Sequence, residues 1–213
     1  MNEEKIEELK RVDKLPVPEV LNILVGSGCR VKNTIALIHL AMIDKENIGT
    51  YIRAGEFSDP DNISFNLYRS HLMYESGRYM KVIHALYKDK KDRPQLLSKI
   101  PKTDHQLRGE CFYQIARAQH KRGRLSHQEI LMLYKQAVDV NPDHIAARYA
   151  IAHIQCCLGN VEESISTLEP VMDILCKKYE AHMILGMCHA TKYTNTGSVE
   201  DAKKGKTHLT ESK

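Results

Sequence analysis

Cysteine and histidine are the residues of this sequence that could bind a metal or attack a substrate, and it has six cysteines and eleven histidines. Zinc modules usually place two ligands about two to four residues apart, and the chain has no C-x-x-C pair. No cysteine has a base, an orienting carboxylate and an oxyanion site in a recognisable spacing. Cys111 and Cys188 fall on apolar faces of expected helices, where cysteine behaves as a small hydrophobic residue. We therefore predict free thiols, no metal, no cofactor, no catalytic residue and no enzyme activity.

A glycine-rich turn at residues 26–28 is the other feature with a chemical interpretation, because it follows the apolar run 19–25 as a phosphate-binding turn follows a strand. The dinucleotide fingerprint needs a third glycine where Val31 stands, and alternating strands and helices behind it. The sequence has neither. We interpret Pro18 instead as a first-turn residue of a short helix and Gly26 as its C-terminal cap.

Clusters of lysine and arginine at residues 88–93, 121–124 and 203–206 could bind nucleic acid, and the formal net charge is +4. Each cluster lies at an expected helix end or turn, where a cation complements the helix dipole, and no aromatic residues are interleaved for stacking. No window approaches the roughly 20 apolar residues of a membrane span. The charged opening at 1–11 does not resemble a signal peptide. We predict a protein of the nucleus or cytosol with no membrane partner and no direct nucleic-acid partner.

An internal repeat organises the second half of the chain. The segment IARAQ at 115–119, followed by Gly123, returns 36 residues later as IAHIQ at 151–155, followed by Gly159. A looser copy begins at Leu185, 34 residues after the second. Periods of this size are typical of stacked helix pairs, because one pair cannot bury its apolar face alone.

Small residues occupy one register in successive first helices of these pairs, at Ala116, Ala152 and Gly186. Close approach of two helices within a pair requires such residues, and Ala137 holds the matching contact in a second helix. This pattern resembles the tetratricopeptide repeat. We predict an all-α fold, a right-handed superhelical solenoid of stacked antiparallel helix pairs. Residues 1–213 would form a single array of about five to six pairs.

The helices of this array can be delimited from apolar spacing and turn residues. We expect helices at 2–11, 19–25, 31–43, 47–57, 63–75, 79–88, 105–122, 128–140, 145–158, 162–175, 179–193 and 198–209. The lysine-rich stretch 89–104 is expected to be an inserted loop with a turn of helix at 95–99. The repeat should be most regular from 105 to 193.

Single residues lead to further expectations about helix ends. Ser126 and Asp143 should cap the helices that follow them. Pro170 should kink or shorten its helix, because proline lacks a backbone N–H. Gly205 should weaken the last helix, and we expect fraying beyond about Tyr193.

The first helices of a solenoid line its concave surface, so their outward side chains are candidate contacts for a partner protein. The candidates are Tyr113, Arg117, His120, Lys121, Tyr149, His153, Met183 and Met187. Tyrosine, arginine and methionine are enriched at interfaces, so an extended peptide or a helix could lie there. The sequence is equally consistent with ordinary solvated residues or residues packed against neighbouring helices.

Several segments resemble the tetratricopeptide subunit of the polymerase-associated factor (Paf) complex, which travels with RNA polymerase II during elongation. Residues 110–117, ECFYQIAR, are similar to that family's ESCYQLAR stretch, and residues 179–186, YEAHMILG, to its YETMKILG. Residues 66–82 resemble a preceding repeat that ends in a D-Y-S-K-V turn, and residues 202–209 resemble an AKGHL helix. The resemblance runs from about Thr34 to Lys213.

The resemblance implies a nuclear, non-catalytic scaffold that wraps a partner subunit with its repeats. Its partners would be other protein subunits of the elongation complex and, through them, RNA polymerase II. The assembly would support elongation and cotranscriptional histone modification. This chain departs from the family in being far shorter, in the insertion at 89–104 and in having Pro170 inside a helix.

Two other functions are compatible with parts of the sequence. A co-chaperone or transport adaptor of the same repeat class would bind a peptide in the cytosol. Adaptors that clamp a terminal carboxylate use lysine and asparagine on the first helices, where this chain has Tyr113, Arg117, Tyr149 and His153. An enzyme would depend on the turn at 26–28 and on the scattered cysteines and histidines.

Overall fold

The computed structural model describes residues 30–44, 46–58, 62–86, 96–174 and 178–212, and every regular element within them is helical. The helices are α1 (Arg30–Ile43), α2 (Ile48–Ser58), α3 (Ile63–Glu75), α4 (Tyr79–Leu86), α5 (Leu96–Lys99), α6 (His105–Arg122), α7 (His127–Val140), α8 (Ile145–Cys157), α9 (Val161–Leu168), α10 (Lys178–Thr196) and α11 (Val199–Glu211), with a 3-10 helix at Glu169–Ile174. The predicted all-α fold is confirmed. The helices expected at 2–11 and 19–25 and the turn at 26–28 lie outside the described residues.

The observed bounds agree with the predicted helices to within three residues, except in two places. The helix predicted at 162–175 is shorter, and the predicted end at residue 88 lies outside the described residues. The short α5 confirms the turn of helix expected inside the insertion. The chain divides into two compact units between Leu72 and Met73. A single array over residues 1–213 stays a prediction.

In the first unit, α1 and α2 pack on each other through a small apolar core. Ala36 and Leu40 are buried on α1, and Tyr51 of α2 packs against them. Asp44 closes the turn between the helices, since its carboxylate accepts hydrogen bonds from the side chains of Asn47 and Tyr51, each at 2.9 Å. These two bonds hold the pKa of Asp44 below its ordinary value.

In the second unit, α6 to α11 form three consecutive helix pairs with shared cores. One core joins α6, α7 and α8 through buried residues that include Ala116, Tyr134 and Ile151. The next joins α8, α9 and α10, and it includes Ala152 and Leu185. Helix α8 supplies residues to both cores, which is how stacked repeats extend one another's apolar interior. The small residues predicted at the close contacts, Ala116, Ala137, Ala152 and Gly186, are all buried.

The turns of these pairs use the residues expected from the sequence, with one exception. Gly123 and Gly159 have φ values of 62° and 80°, which side chains with a Cβ rarely adopt. Ser126 forms a capping box, in which its hydroxyl accepts from the Glu129 N–H and the Glu129 carboxylate accepts from the Ser126 N–H.

The exception is Asp143, which does not cap α8, so that prediction was wrong. The cap residue is His144, whose Nδ1 accepts from the N–H of Ala147 at 3.2 Å. Because Nδ1 is an acceptor, Nε2 carries the proton, and it donates to Oε2 of Glu110 at 3.2 Å. The His144 imidazole therefore caps α8 and also contacts α6. Asp143 is exposed and makes neither contact.

Pro170 shortens its helix as predicted. Helix α9 ends at Leu168, and Pro170 lies in the 3-10 helix that follows. A proline cannot donate the backbone hydrogen bond that a continued α-helix would need at this residue.

The weakening of the last helix that we expect from Gly205 stays a prediction. Gly205 lies within α11, at its contact with α10. It is buried, and a Cβ built on it would lie 3.3 Å from the backbone nitrogen of Ala190 on α10. On the facing helix, a Cβ at Gly186 would lie 2.7 Å from Cγ of Leu209. The two glycines therefore allow α10 and α11 to approach closely. The fraying expected beyond Tyr193 stays a prediction that hydrogen exchange would test.

Candidate protein-interaction face

The predicted contact residues occupy equivalent positions on the three first helices of the second unit. Tyr113, Tyr149 and Met183 share one register, and Arg117, His153 and Met187 share the next, at offsets of 36 and 34 residues. We call these six residues the first-helix face. His120 and Lys121 lie one turn further along α6.

The α6 part of the first-helix face is covered by neighbouring side chains. The guanidinium carbon of Arg117 lies 3.9 Å from the ring centroid of Tyr74, in the last turn of α3, and 5.7 Å from that of Tyr113. The Tyr113 ring in turn lies 4.8 Å from the ring of His144 and 5.9 Å from that of Tyr134. Arg117 and Tyr113 are therefore half-buried packing residues, stabilised by cation–π and aromatic contacts.

Glu110, which the sequence did not single out, connects this cluster to α8. Its carboxylate accepts hydrogen bonds from Nε2 of His144 at 3.2 Å and from Nε2 of Gln114 at 2.9 Å. Burial alone would raise the pKa of Glu110, but these hydrogen bonds together hold it below its ordinary value. The glutamate is therefore an ionised acceptor in the folded protein.

His120 and Lys121 have different surroundings although they are adjacent in sequence. His120 is half-buried, and its Nδ1 lies 3.4 Å from the hydroxyl of Tyr134. Burial, followed by the charge of His153, lowers the pKa of His120 and so favours its neutral imidazole. Lys121 is exposed. Of these two candidate contacts, only Lys121 is freely presented to solvent.

Tyr149 links two successive first helices. Its hydroxyl donates to Oε2 of Glu180 on α10 at 3.0 Å, and the hydroxyl of Tyr179 donates to the other carboxylate oxygen at 3.0 Å. Burial and the Glu180 carboxylate raise the pKa of Tyr149 above its ordinary value. This tyrosine is therefore held in place by the next helix.

The α10 part of the first-helix face is open. Met183 and Met187 are 45% and 52% exposed, and Tyr179, one turn before them, is 57% exposed. Residues four apart on a helix lie on the same side, so these three side chains form a single apolar stripe, which we call the α10 stripe. On α8, His153 is exposed beside it in the same register as Met187. Exposed apolar stripes of this kind are typical of surfaces that bind another protein.

The cysteines and histidines show one grouping that their sequence spacing did not reveal. Within the described ranges, His182, His208 and Glu211 place one ligand atom each within 4.8 Å of one another. Cys111 and Cys188 are buried, as predicted, and burial raises the pKa of the Cys111 thiol to about 12. Burial and the neighbouring Cys188 raise the pKa of the Cys156 thiol to about 11. The raised pKa values disfavour the reactive thiolate at Cys111 and Cys156.

In the part of the chain that the structure describes, no helix is both long and apolar enough to cross a lipid bilayer.

No protein-family model matches the sequence, and no curated protein matches it significantly. Solved structures do match the fold. The MamA protein aligns with a TM-score of 0.55 and 15% identity over 84% of this chain and 91% of its own. YrrB, a TPR protein with an unusual peptide-binding site, aligns with a TM-score of 0.56 and 13% identity over 90% of this chain and 93% of its own. The fold is that of a tetratricopeptide-repeat protein. At these identities the likeness concerns the fold alone, and the resemblance to the Paf subunit stays a prediction.

Proposed function

We propose that this protein is a non-catalytic scaffold that binds a segment of a partner protein along the first-helix face, with the α10 stripe as the main contact. The observation that carries the proposal is the exposure of Met183 and Met187. Their counterparts on α6, Tyr113 and Arg117, are covered by aromatic side chains. The face is thus closed at one end and open at the other.

The chemistry of the open end indicates the kind of segment that would bind. Methionine is flexible and polarizable, so a methionine surface can pack against apolar side chains of varied shape. Tyr179 adds a rigid aromatic edge to the α10 stripe, and aromatic residues often supply much of the binding energy at interfaces. The partner would therefore present apolar anchors one helical turn apart, or on alternate residues of an extended strand.

The fold supports this proposal, because first helices in successive pairs form a continuous row of side chains. The TPR protein YrrB, which has the same fold, has a peptide-binding site. A peptide site on this chain would use its first helices, because first helices line the concave surface of such a solenoid, and the α10 stripe is an exposed apolar part of them.

Affinity capture of partner proteins from cells tests the proposal, with one substituted methionine on the face and one control methionine outside it. The full chain, tagged, is compared with Met187→Asp and with Met132→Asp, since Met132 is 60% exposed on α7 and outside the first-helix face. We expect Met187→Asp to reduce recovery of the main partner at least about tenfold, because an aspartate would be buried in an apolar contact. Met132→Asp should leave recovery unchanged. Equal recovery with both variants would refute the site.

More specifically, we propose that the partner belongs to a transcription elongation complex that associates with RNA polymerase II in the nucleus and supports histone modification. Residues 110–117 and 179–186, which resemble the Paf subunit, supply Tyr113, Arg117 and Met183 to the first-helix face. The second candidate is a co-chaperone or transport adaptor. Arg117 stacks over Tyr74, an arrangement different from a lysine held ready for a terminal carboxylate.

The same capture experiment separates these partners by the proteins recovered. Polymerase-associated subunits, lost with Met187→Asp and kept with Met132→Asp, would support the elongation scaffold. Chaperones recovered with the same dependence would support the adaptor and refute the elongation scaffold. A retained small molecule with turnover would refute the non-catalytic proposal.

A further inference from the structure

The last helix pair holds a cluster of side chains that the interaction face does not use. His182 on α10 faces His208 and Glu211 on α11, and their ligand atoms lie within 4.8 Å of one another. We infer that this cluster is a binding site for one divalent transition-metal ion of the zinc class. The ion would join α10 to α11.

Two distances between ligand atoms of the cluster are slightly shorter than those around a zinc ion. Nδ1 of His182 lies 2.8 Å from Nδ1 of His208 and 3.1 Å from Oε2 of Glu211. Bonds of about 2.0 to 2.2 Å in a tetrahedron separate two ligand atoms by about 3.3 to 3.6 Å. Small side-chain rotations that lengthen these two separations by about 0.2 to 0.8 Å would therefore admit the ion.

The short distance between the two imidazole nitrogens also implies a protonation state that is compatible with metal binding. Two imidazole nitrogens 2.8 Å apart can form a hydrogen bond only if one of them is an acceptor, so at least one ring is neutral. Neutral imidazole and carboxylate are the ligand forms that zinc binds. A metal ion would take the place of the shared proton.

The backbone brings the two helices close enough to form the cluster. At the α10–α11 contact, a Cβ on Gly186 would lie 2.7 Å from Cγ of Leu209, and a Cβ on Gly205 would be a tight fit, 3.3 Å from the backbone nitrogen of Ala190. His208 precedes Leu209, and Glu211 follows one turn after His208, so both point to the same side of α11. The close contact of α10 with α11 thus brings the three ligand side chains together.

A third histidine, His189, packs against the cluster. The His189 ring stacks on the His208 ring, with centroids 5.8 Å apart and planes inclined by 8°. Nδ1 of the buried His189 is hydrogen-bonded to Oδ1 of Asp201 at 2.9 Å. Within the described residues its Nε2 has no hydrogen-bond partner, although Oε1 of Glu169 lies 3.7 Å away. His189 is thus a buried neighbour of the His208 ligand, anchored to α11 through Asp201.

The ligand set resembles that of open zinc sites. Two histidines and one glutamate fill three positions of a tetrahedron and leave the fourth for water or for a ligand from another molecule. Glu211 is half exposed, so the cluster is accessible from solvent. Sequence spacing does not reveal these three ligands, because 25 residues separate the two histidines.

Binding of zinc ion alone to the purified full chain tests the inference, by competition with a chromophoric chelator. We expect one site whose affinity falls at least about tenfold in His182→Ala and in His208→Ala. Glu211→Gln should weaken binding less, and because this side chain is half exposed the variant should fold. The matched control is His127→Ala, an exposed histidine on α7, which should bind as tightly as the original chain.

Cobalt(II) in place of zinc identifies the ligand atoms by its visible spectrum. We expect the absorption of a site with nitrogen and oxygen ligands, without the near-ultraviolet band of a cobalt–thiolate bond. The thermal midpoint should rise with zinc in the original chain and in His127→Ala, and stay constant in the double variant His182→Ala with His208→Ala.

Three outcomes would overturn the inference. They are the absence of zinc binding by the full chain, binding that persists in the double variant, and a thiolate band with cobalt. If the double variant does not fold by circular dichroism, unchanged affinity in Glu211→Gln would overturn it as well. None of these outcomes affects the proposed interaction face, whose test depends on Met187.

Discussion

The α6 and α10 parts of the first-helix face occupy the same positions in the repeat but have opposite surroundings. On α6, Arg117 lies over the ring of Tyr74 and Tyr113 packs against the ring of His144. On α10, the equivalent Met187 and Met183 are about half exposed. Register in a helical repeat therefore fixes the direction of a side chain, while the neighbouring helices decide whether it is available to a partner.

The largest expected effect is the difference in stability between Arg117→Ala and Met187→Ala. Arg117→Ala should lower the free energy of unfolding by about 2 to 3 kcal/mol, because it removes a cation–π contact and the packing of the arginine stem. Met187→Ala should cost less than about 0.5 kcal/mol, as is usual at exposed positions. Urea unfolding with circular dichroism measures both. Equal losses would show that the two parts of the face are alike.

Tyr149→Phe should have the next largest effect, because it deletes the hydroxyl that donates to Glu180. We expect a loss of about 1 kcal/mol, typical of a hydrogen bond to a charged group that is only partly buried. Tyr193→Phe is the matched control, since Tyr193 is 44% exposed on α10. Thermal unfolding of the two variants should therefore differ. No difference would mean that Tyr149 does not tie α8 to α10.

A smaller effect should appear in acid, through Glu110. The folded protein holds its pKa below the ordinary value of 4.5, so its contribution to stability is complete above that value. The contribution is lost as the pH falls through the lower pKa of the folded state, because protonation ends the acceptor role toward His144 and Gln114. We expect Glu110→Gln to flatten the decrease in stability between about pH 5 and pH 3. Parallel curves for both proteins would contradict this.

The smallest difference between α6 and α10 should be in the alkylation rates of their buried cysteines. Cys111 and Cys188 are both fully buried, and Cys157 is exposed. Alkylation of the native protein, followed by peptide mass spectrometry, should modify Cys157 rapidly and the other two slowly and similarly. Rapid modification of Cys188 alone would mean that the α10 end opens locally more often than α6.

Helix positions and turns could be predicted because their causes are local. Gly123 and Gly159 end helices by taking positive φ values, and Ser126 caps α7 through a residue three positions away. The Asp143 cap was wrong because the competing residue gains from a distant partner. His144 caps α8 and also reaches Glu110, 34 residues earlier.

The candidate site was predictable in its register but not in its exposure. The repeat offset placed Tyr113, Tyr149 and Met183 together without any structure. The sequence could not show that Tyr74 covers Arg117 or that Glu180 binds Tyr149, because each contact joins residues more than 30 positions apart. The grouping of His182 with His208 was hidden because it joins two different helices, 26 positions apart in the sequence.

The sequence by itself determined that the chain forms paired helices with small residues at their contacts, since periodicity, glycine turns and proline stops act over a few residues. Only the tertiary structure decided which equivalent side chains are covered, which stay open as the α10 stripe, and which histidines meet between α10 and α11. Those outcomes depend on which helix lies beside each residue, and that is set by packing across the fold rather than by neighbours along the chain.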